Sequence, residues 1–212
     1  MTRVAYATVP GGGAVLPDDK RQAILDAAIH SFARKGYHAT RISDIADRAG
    51  IGKGTVYLYF ESKADVLISI LQTFVDEVLS FADELMRESV TAREGIERFF
   101  RHGFARIAEN PDLLTVLGQR LFLSDPAMQR RGEEFFRSII LRIVSKIAAV
   151  MDAGQVRTYD PTIIACAVIG AINTFELYHV LHPDEDPAES IPRITSELTR
   201  FFIEALVPDP SG

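Results

Sequence analysis

The chain has 212 residues, of which 47% are hydrophobic and 25% charged, with a formal net charge of −6. That length and apolar fraction can build the cores of one or two small domains and exclude a disorder-dominated chain. A single cysteine, Cys166, excludes an internal disulfide framework.

Residues 1–17 contain three consecutive glycines and two prolines and lack the apolar stretch of a secretory signal. A flexible tail is expected there, with an arm that follows the minor groove as the alternative, although Arg3 is its one cation before Lys20. From Thr40 to Lys63 the chain reads TRISDIADRAGIGKGTVYLYFESK. Ile42, Ile45, Ala46 and Ala49 recur at helical spacing and predict a short helix with one buried face. Ser43 is the expected N-cap, and Gly50 the expected terminator, because a helix end often needs a left-handed residue. Ile51 plugs the corner, and a second helix from Gly52 to Phe60 turns Val56 and Phe60 inward. Lys53, Gly54, Thr55, Tyr57, Leu58 and Tyr59 are then left on or beside its outer surface. A helix, a tight turn and a second helix form the helix-turn-helix arrangement, whose second helix enters the major groove of DNA. GIGKGT does not make a P-loop: Lys53 is followed by Gly54, and Asp47 stands where a glycine is required.

The run from Arg21 to Leu67, containing AILDAAIHSFARKGYHATRISDIADRAGIGKGTVYLYFESKADVL, closely resembles the DNA-binding domain of the TetR family of bacterial transcriptional regulators. The resemblance implies an all-α homodimer with a three-helix DNA-binding domain over residues 18–65. A helical effector-binding and dimerisation domain over residues 66–212 would follow it. It also implies site residues. Thr40 matches a phosphate-contacting hydroxyl, with Arg41 and Ser43 beside it. Lys53, Gly54 and Thr55 match the base-reading start of the third helix, Tyr57 and Tyr59 its backbone contacts, and Lys63 a phosphate contact opening the fourth. Leu58 departs from the polar or aromatic residue often found there and can touch a thymine methyl. The implied partners are double-stranded operator DNA and a small hydrophobic inducer. No cofactor, metal or membrane is expected, and the expected location is cytoplasmic.

Charge is distributed unevenly: residues 1–65 carry nine Lys and Arg against seven Asp and Glu, whereas residues 66–212 carry fourteen against twenty-two. One end suits phosphate and the other is repelled by it. Leu67, Ile70, Leu71, Phe74, Val75 and Val78 form the stripe of a linking helix after Ser62 and Asp65, a capping-box-like pair. Ile96, Phe99, Phe100, Gly103, Phe104 and Ile107 repeat the pattern after Thr91 and Glu94, and Asn110 with Pro111 opens a further helix. Asp125 and Pro126 open another, whose expected face carries Phe136, Ile139, Ile140, Ile143, Val144, Ile147 and Met151 before Gly154. Asp160 and Pro161 repeat the device. The next helix is apolar nearly all round and needs burial on both sides, which dimerisation supplies. Ile164, Cys166, Ile169 and Gly170, together with Leu198, Phe201 and Phe202 on the last helix, are the expected interface. Cys166 reads as a small buried hydrophobe, and the acidic run DEDPAES as the loop before that last helix.

No GxSxG, HExxH or cysteine cluster marks a catalytic or zinc site. His179 and His182, three residues apart, suit a helix-end pair better than a metal site. The aromatic bulk of the middle helices, Phe99, Phe100, Phe104, Phe122, Phe135, Phe136 and Phe175, instead points to a ligand pocket, with Phe99, Phe100, Phe104, Phe122, Phe136 and Ile140 as walls and Arg106, Gln119, Asn173 and Glu176 as polar anchors. Within the family, GTVYLYFESKADVLISIL is similar to regulators of fatty-acid degradation, which implies a long-chain acyl-CoA effector, although QRLFLSDP lacks the Glu-Leu-Arg pattern of that subgroup. Drug-like effectors of efflux regulators are the alternative, and a helical lipid carrier or hydrolase with a vestigial head is the rival from another class.

Overall fold

The computed structural model describes residues 18–88, 90–118, 126–182 and 184–208, and among them there are nine helices and no strand. The head is α1 (Asp18–Lys35), α2 (Ile42–Ala49) and α3 (Lys53–Tyr59). Acidic Asp18 and Asp19 open α1, and Arg34 and Lys35 close it, each complementing the partial charge of its helix end. Ile24, Leu25, Ala28 and Phe32 from α1 meet Ile45 and Ala46 from α2, Val56 from α3 and Phe60, all at most 2% exposed. The apolar spacing expected in this stretch is therefore the head's core.

The N-cap of α2 is Arg41, not Ser43, because Ile42 is already in the first turn and 8% exposed. The Arg41 backbone N–H donates to the Asp44 carboxylate at 2.8 Å, leaving Ser43 half-buried within the helix. Gly50 adopts φ 68°, and the N–H groups of Gly50 and Ile51 return to the carbonyls of Asp47 and Ala46, a Schellman ending that fixes the corner between α2 and α3. Two residues matched to phosphate contacts are instead committed to this scaffold. Thr40 is 1% exposed, and its hydroxyl lies 3.0 Å from the Ser31 carbonyl and 2.8 Å from that of Gly36, where it can donate. The Lys63 ammonium donates to the carbonyls of Tyr37, Thr40 and His38 at 2.6, 2.8 and 3.1 Å and lies 4.4 Å from the Tyr37 ring centre. An ammonium has three N–H donors, so this set uses all of them.

The rod α4 (Lys63–Arg87) is 25 residues long, about 37 Å at helical rise. Ser62 caps it by accepting from the Asp65 N–H, and the Asp65 carboxylate accepts from Glu61 N–H at 2.9 Å. Around its far end lie α5 (Ala92–Glu109), α6 (Pro111–Gly118), α7 (Pro126–Asp152), α8 (Pro161–Leu181) and α9 (Pro187–Leu206). Thr91, Asn110 and Asp160 accept at the helix starts expected of them, and Gly154, at φ 68°, ends α7. Asp186 caps α9 by accepting from Ala188 N–H at 2.8 Å. The run DEDPAES is thus partly helix, opened by the same Asp-Pro device as α8. α5 packs on α9, and α7 on α8 and α4. α6 lies between the head helix α1 and the effector helices α5 and α8, and His30 meets Asp112 across that junction at 2.8 Å.

The buried face of α7 is set by Phe135 and Ile139, at 6% and 5% exposed, whereas Phe136 is 36% exposed. Adjacent helical residues point about 100° apart, and here Phe135 takes the inner direction while Phe136 sits at the edge of the packed face.

Lys63→Met removes three hydrogen bonds and strands partly buried carbonyls, so it should lower unfolding free energy by roughly 1–3 kcal/mol, measured by chemical denaturation. Asp44 is held below the usual carboxylate range by the Arg41 backbone N–H first and the Lys35 ammonium second. Its contribution is therefore complete above the ordinary carboxylate value and is lost as pH falls through the lowered one. Asp44→Asn should be less stable than wild type at neutral pH, and the two denaturation midpoints should converge in acid.

Candidate nucleic-acid interface and effector cavity

Burial of Val56 fixes which way α3 faces. Lys53, Gly54, Tyr57 and Leu58 emerge on the solvent side, Leu58 at 68% and Tyr57 at 49% exposed, while Thr55 and Tyr59 are half-buried. Arg41 is exposed at the start of α2. The Lys53 ammonium sits 5.8 Å from the Tyr57 ring centre and makes no ion pair among the described residues. At Gly54 an added Cβ would meet nothing within 4 Å, so no internal contact requires glycine there. Glycine within a helix costs roughly 0.5–1 kcal/mol relative to alanine. A bare backbone at this point is useful only to something that approaches from outside. The surface thus presents a cation, a phenol hydroxyl and an exposed leucine, with a half-buried threonine beside them, a mixture suited to phosphate oxygens, base edges and a thymine methyl. Of the residues matched to DNA contacts, Arg41, Lys53, Gly54, Tyr57 and Leu58 are exposed, Ser43, Thr55, Tyr59 and Lys63 are half-buried, and Thr40 is buried.

Two apolar cavities flank the rod. The first, about 200 Å³, lies among α4, α5, α7, α8 and α9, and the second, about 170 Å³, among α4, α5, α7 and α8. They share a wall of Leu79, Phe99, Phe100, Ile143 and Val168, so the pair forms one interrupted passage. Of the walls expected from sequence, Phe99 and Phe100 line both cavities and Phe104 and Phe136 the second, whereas Ile140 lines neither. Gln119 and Phe122 lie outside the described residues, as do the side chains of Asn173 and Glu176.

Arg106, expected as a polar anchor, lines neither cavity. Its guanidinium lies 2.6 Å from Glu77 and 2.7 Å from Glu109. Partial burial acts to lower its pKa, but Glu109 and Glu77 together outweigh that and raise it. Two carboxylates within reach hold it outside both cavities. The polar groups that do border the first cavity are Thr91, Gln155 and Lys146. Lys146 escaped the sequence reading because it interrupts the run Ile143, Ile147, Val150, where a lysine looks like an accident of the helix edge. Its ammonium is paired with Asp83 of α4.

The expected interface residues divide into two groups. Cys166 and Gly170 are exposed on α8 and Phe201 is 62% exposed on α9; Ile163, 66% exposed, and Ala167, neither singled out from sequence, complete with Cys166 and Gly170 a stripe at i, i+3, i+4 and i+7. Cys166 is therefore a surface residue, not a buried one, because Ala165 beside it takes the inward position at 0% exposed. Ile164 and Ile169 line the cavities. Phe202, 4% exposed, packs 4.8 Å from the Phe100 ring centre, and Leu198 packs half-buried against the same core. These four are committed within their own subunit. His182, expected at a helix end, stacks on Tyr178 with ring centres 4.3 Å apart. No helix among the described residues is long and apolar enough to cross a membrane.

Residues 24–70 match the bacterial regulatory proteins of the tetR family. The chain is 28% identical over 138 residues to the fatty acid metabolism regulator protein of Bacillus subtilis, covering 65% of this chain and 71% of that one. Two solved structures share the fold. One is the transcriptional regulator FadR of Bacillus subtilis in complex with stearoyl-CoA, at 24% identity, TM-score 0.68, and 84% and 97% coverage of this chain and that one. The other is the fatty acid degradation regulator FadR of Bacillus halodurans, at 23% identity, TM-score 0.71, and 90% and 97% coverage. The tetR-family pattern thus spans residues from α1 into the start of α4, and the fold of these regulators extends through α5 to α9.

Proposed function

We propose that this chain is a cytoplasmic, homodimeric repressor that reads double-stranded operator DNA through α3 and is released by an elongated hydrophobic effector, a long-chain acyl-CoA. The observation that carries the reading is the tandem apolar passage built against the rod. Leu71, Phe74, Val75, Val78 and Leu79 of α4 all line it, so an occupant touches the helix that carries the head. Similarity to a fatty acid metabolism regulator, and to the fold of a regulator bound to stearoyl-CoA, supports an acyl chain as that occupant. Residues 18–65 act as the reading head and residues 66–212 as the effector and dimerisation unit. No catalytic step is needed: binding free energy alone does the work.

In a dimer the two α3 helices must lie about 34 Å apart, one helical turn, to enter successive major grooves. The exposed stripe of Ile163, Cys166, Ala167 and Gly170, with Phe201, supplies the face for the second copy. An occupant wedged against α4 tilts both rods and alters the spacing, weakening DNA binding by a coupling of typically 1–3 kcal/mol.

Lys53→Ala combined with Tyr57→Ala should weaken binding to the regulator's own upstream DNA by at least about tenfold, measured by fluorescence anisotropy, without changing the dimer. Unchanged affinity at physiological salt would displace the reading surface from α3. Ile163→Arg with Phe201→Glu should give a folded monomer by light scattering, and a persistent dimer would move the interface elsewhere. Palmitoyl-CoA should release the DNA complex. Release by cationic aromatic drugs and not by acyl-CoA would assign the effector to the efflux class instead.

A further inference from the structure

The polar end of the passage raises a question that its apolar walls do not answer: which end of an amphiphile it would recognise. Both cavities together are lined by aliphatic and aromatic side chains, glycines, alanines, Thr91 and Gln155, with Lys146 the single charged lining residue among the described residues. Lys146 comes from α7, between Ile143 and Ile147, so its stem runs along apolar wall while its ammonium meets Asp83 at the surface of α4. Its side chain is 22% exposed, whereas Asp83 is 55% exposed. The cation is therefore the inner partner and the carboxylate the outer one. An exposed carboxylate gives little net stability to such a pair and is readily exchanged. Gln155 and Thr91 border the same cavity and add neutral hydrogen-bonding groups.

Resting on the effector reading above, we propose that Lys146 is the anchor for an anionic headgroup on a long apolar chain, and that the ligand's anion takes the ammonium from Asp83. The shared chemistry is a carboxylate or phosphate at the end of an alkyl chain, whether from a free fatty acid or from the coenzyme A end of its thioester. The exchange has a structural consequence. Asp83–Lys146 and Asp76–Arg142, the latter at 2.5 Å, are ion pairs that tie α4 to α7. They lie two helical turns apart on the rod, which is the spacing from residue 76 to 83. Transfer of Lys146 to the ligand removes the pair farther from the head and leaves the nearer one, so α4 is freed at its effector end while still held close to the DNA domain. An anion thus selects the ligand class and loosens the rod in the same step.

Isothermal titration of the full chain with palmitate, palmitoyl-CoA and neutral hexadecanol tests this. The expected result is that at least one anionic ligand binds about tenfold more tightly than hexadecanol. Which of the two prevails identifies the source of the anion. Lys146→Met should abolish that preference while leaving hexadecanol affinity unchanged, which also certifies that the passage is folded, and Lys146→Arg should restore it. Asp83→Asn, which removes the competing carboxylate, should tighten the anion and leave hexadecanol alone. Equal binding of all three ligands by wild type, or an anion preference that survives Lys146→Met, overturns the assignment while leaving a hydrophobic effector intact. Failure of all three to bind overturns the acyl effector itself, and this anchor with it.

Discussion

One helix is required in two cores at once. Val66, Leu67 and Ile70 of α4 are at most 2% exposed near the head, and Phe74, Val78 and Leu79 are buried where the rod walls the cavities. Protein interiors are close-packed and do not deform continuously, so a displacement at one end of such a helix is passed to the other rather than absorbed. The Lys63 clasp strengthens this constraint. It fastens the first turn of α4 to the carbonyls of residues 37, 38 and 40.

The head is held from a second direction by α6. This short helix packs on α1 and also on α5 and α8, and His30 of α1 meets Asp112 of α6 at 2.8 Å, both side chains 32% exposed. Beneath this partly exposed pair, Leu113 and Val116 of α6 are buried at 7% and 2% in the same core as the apolar stripe of α4, so the head is held against the effector helices by apolar packing from two directions.

The sequence disclosed what local chemistry decides and concealed what tertiary geometry decides. Helix starts at Ser62, Thr91, Asn110 and Asp160, and glycine endings at Gly50 and Gly154, were legible because capping depends on a few adjacent residues. The outward face of α3 was legible from Val56 and Phe60 alone. By contrast, the directions of Phe135 against Phe136, Ile163 against Ile164, and Phe201 against Phe202 were not legible, because an apolar dipeptide on a helix does not say which member meets the core. The internal partners of Thr40 and Lys63 were not legible for another reason: the turn over residues 36–40 leaves carbonyls that need donors, and these two side chains supply them. The partner of Arg106 was hidden similarly, since Glu77 on a neighbouring helix is invisible to local pattern.

The charge distribution also limits how an effector can be bound. Residues 66–212 carry an excess of acidic side chains, so an anionic ligand is not drawn to this domain from a distance. In the proposed binding mode most of the affinity comes from the apolar chain, worth about 0.8 kcal/mol for each buried methylene, and the single ammonium adds only the roughly tenfold preference for an anion. A passage of this composition therefore measures chain length steeply and accepts short anions poorly, however well their charge matches. The same acidic excess weighs against a polyanion on the effector helices and less on the head.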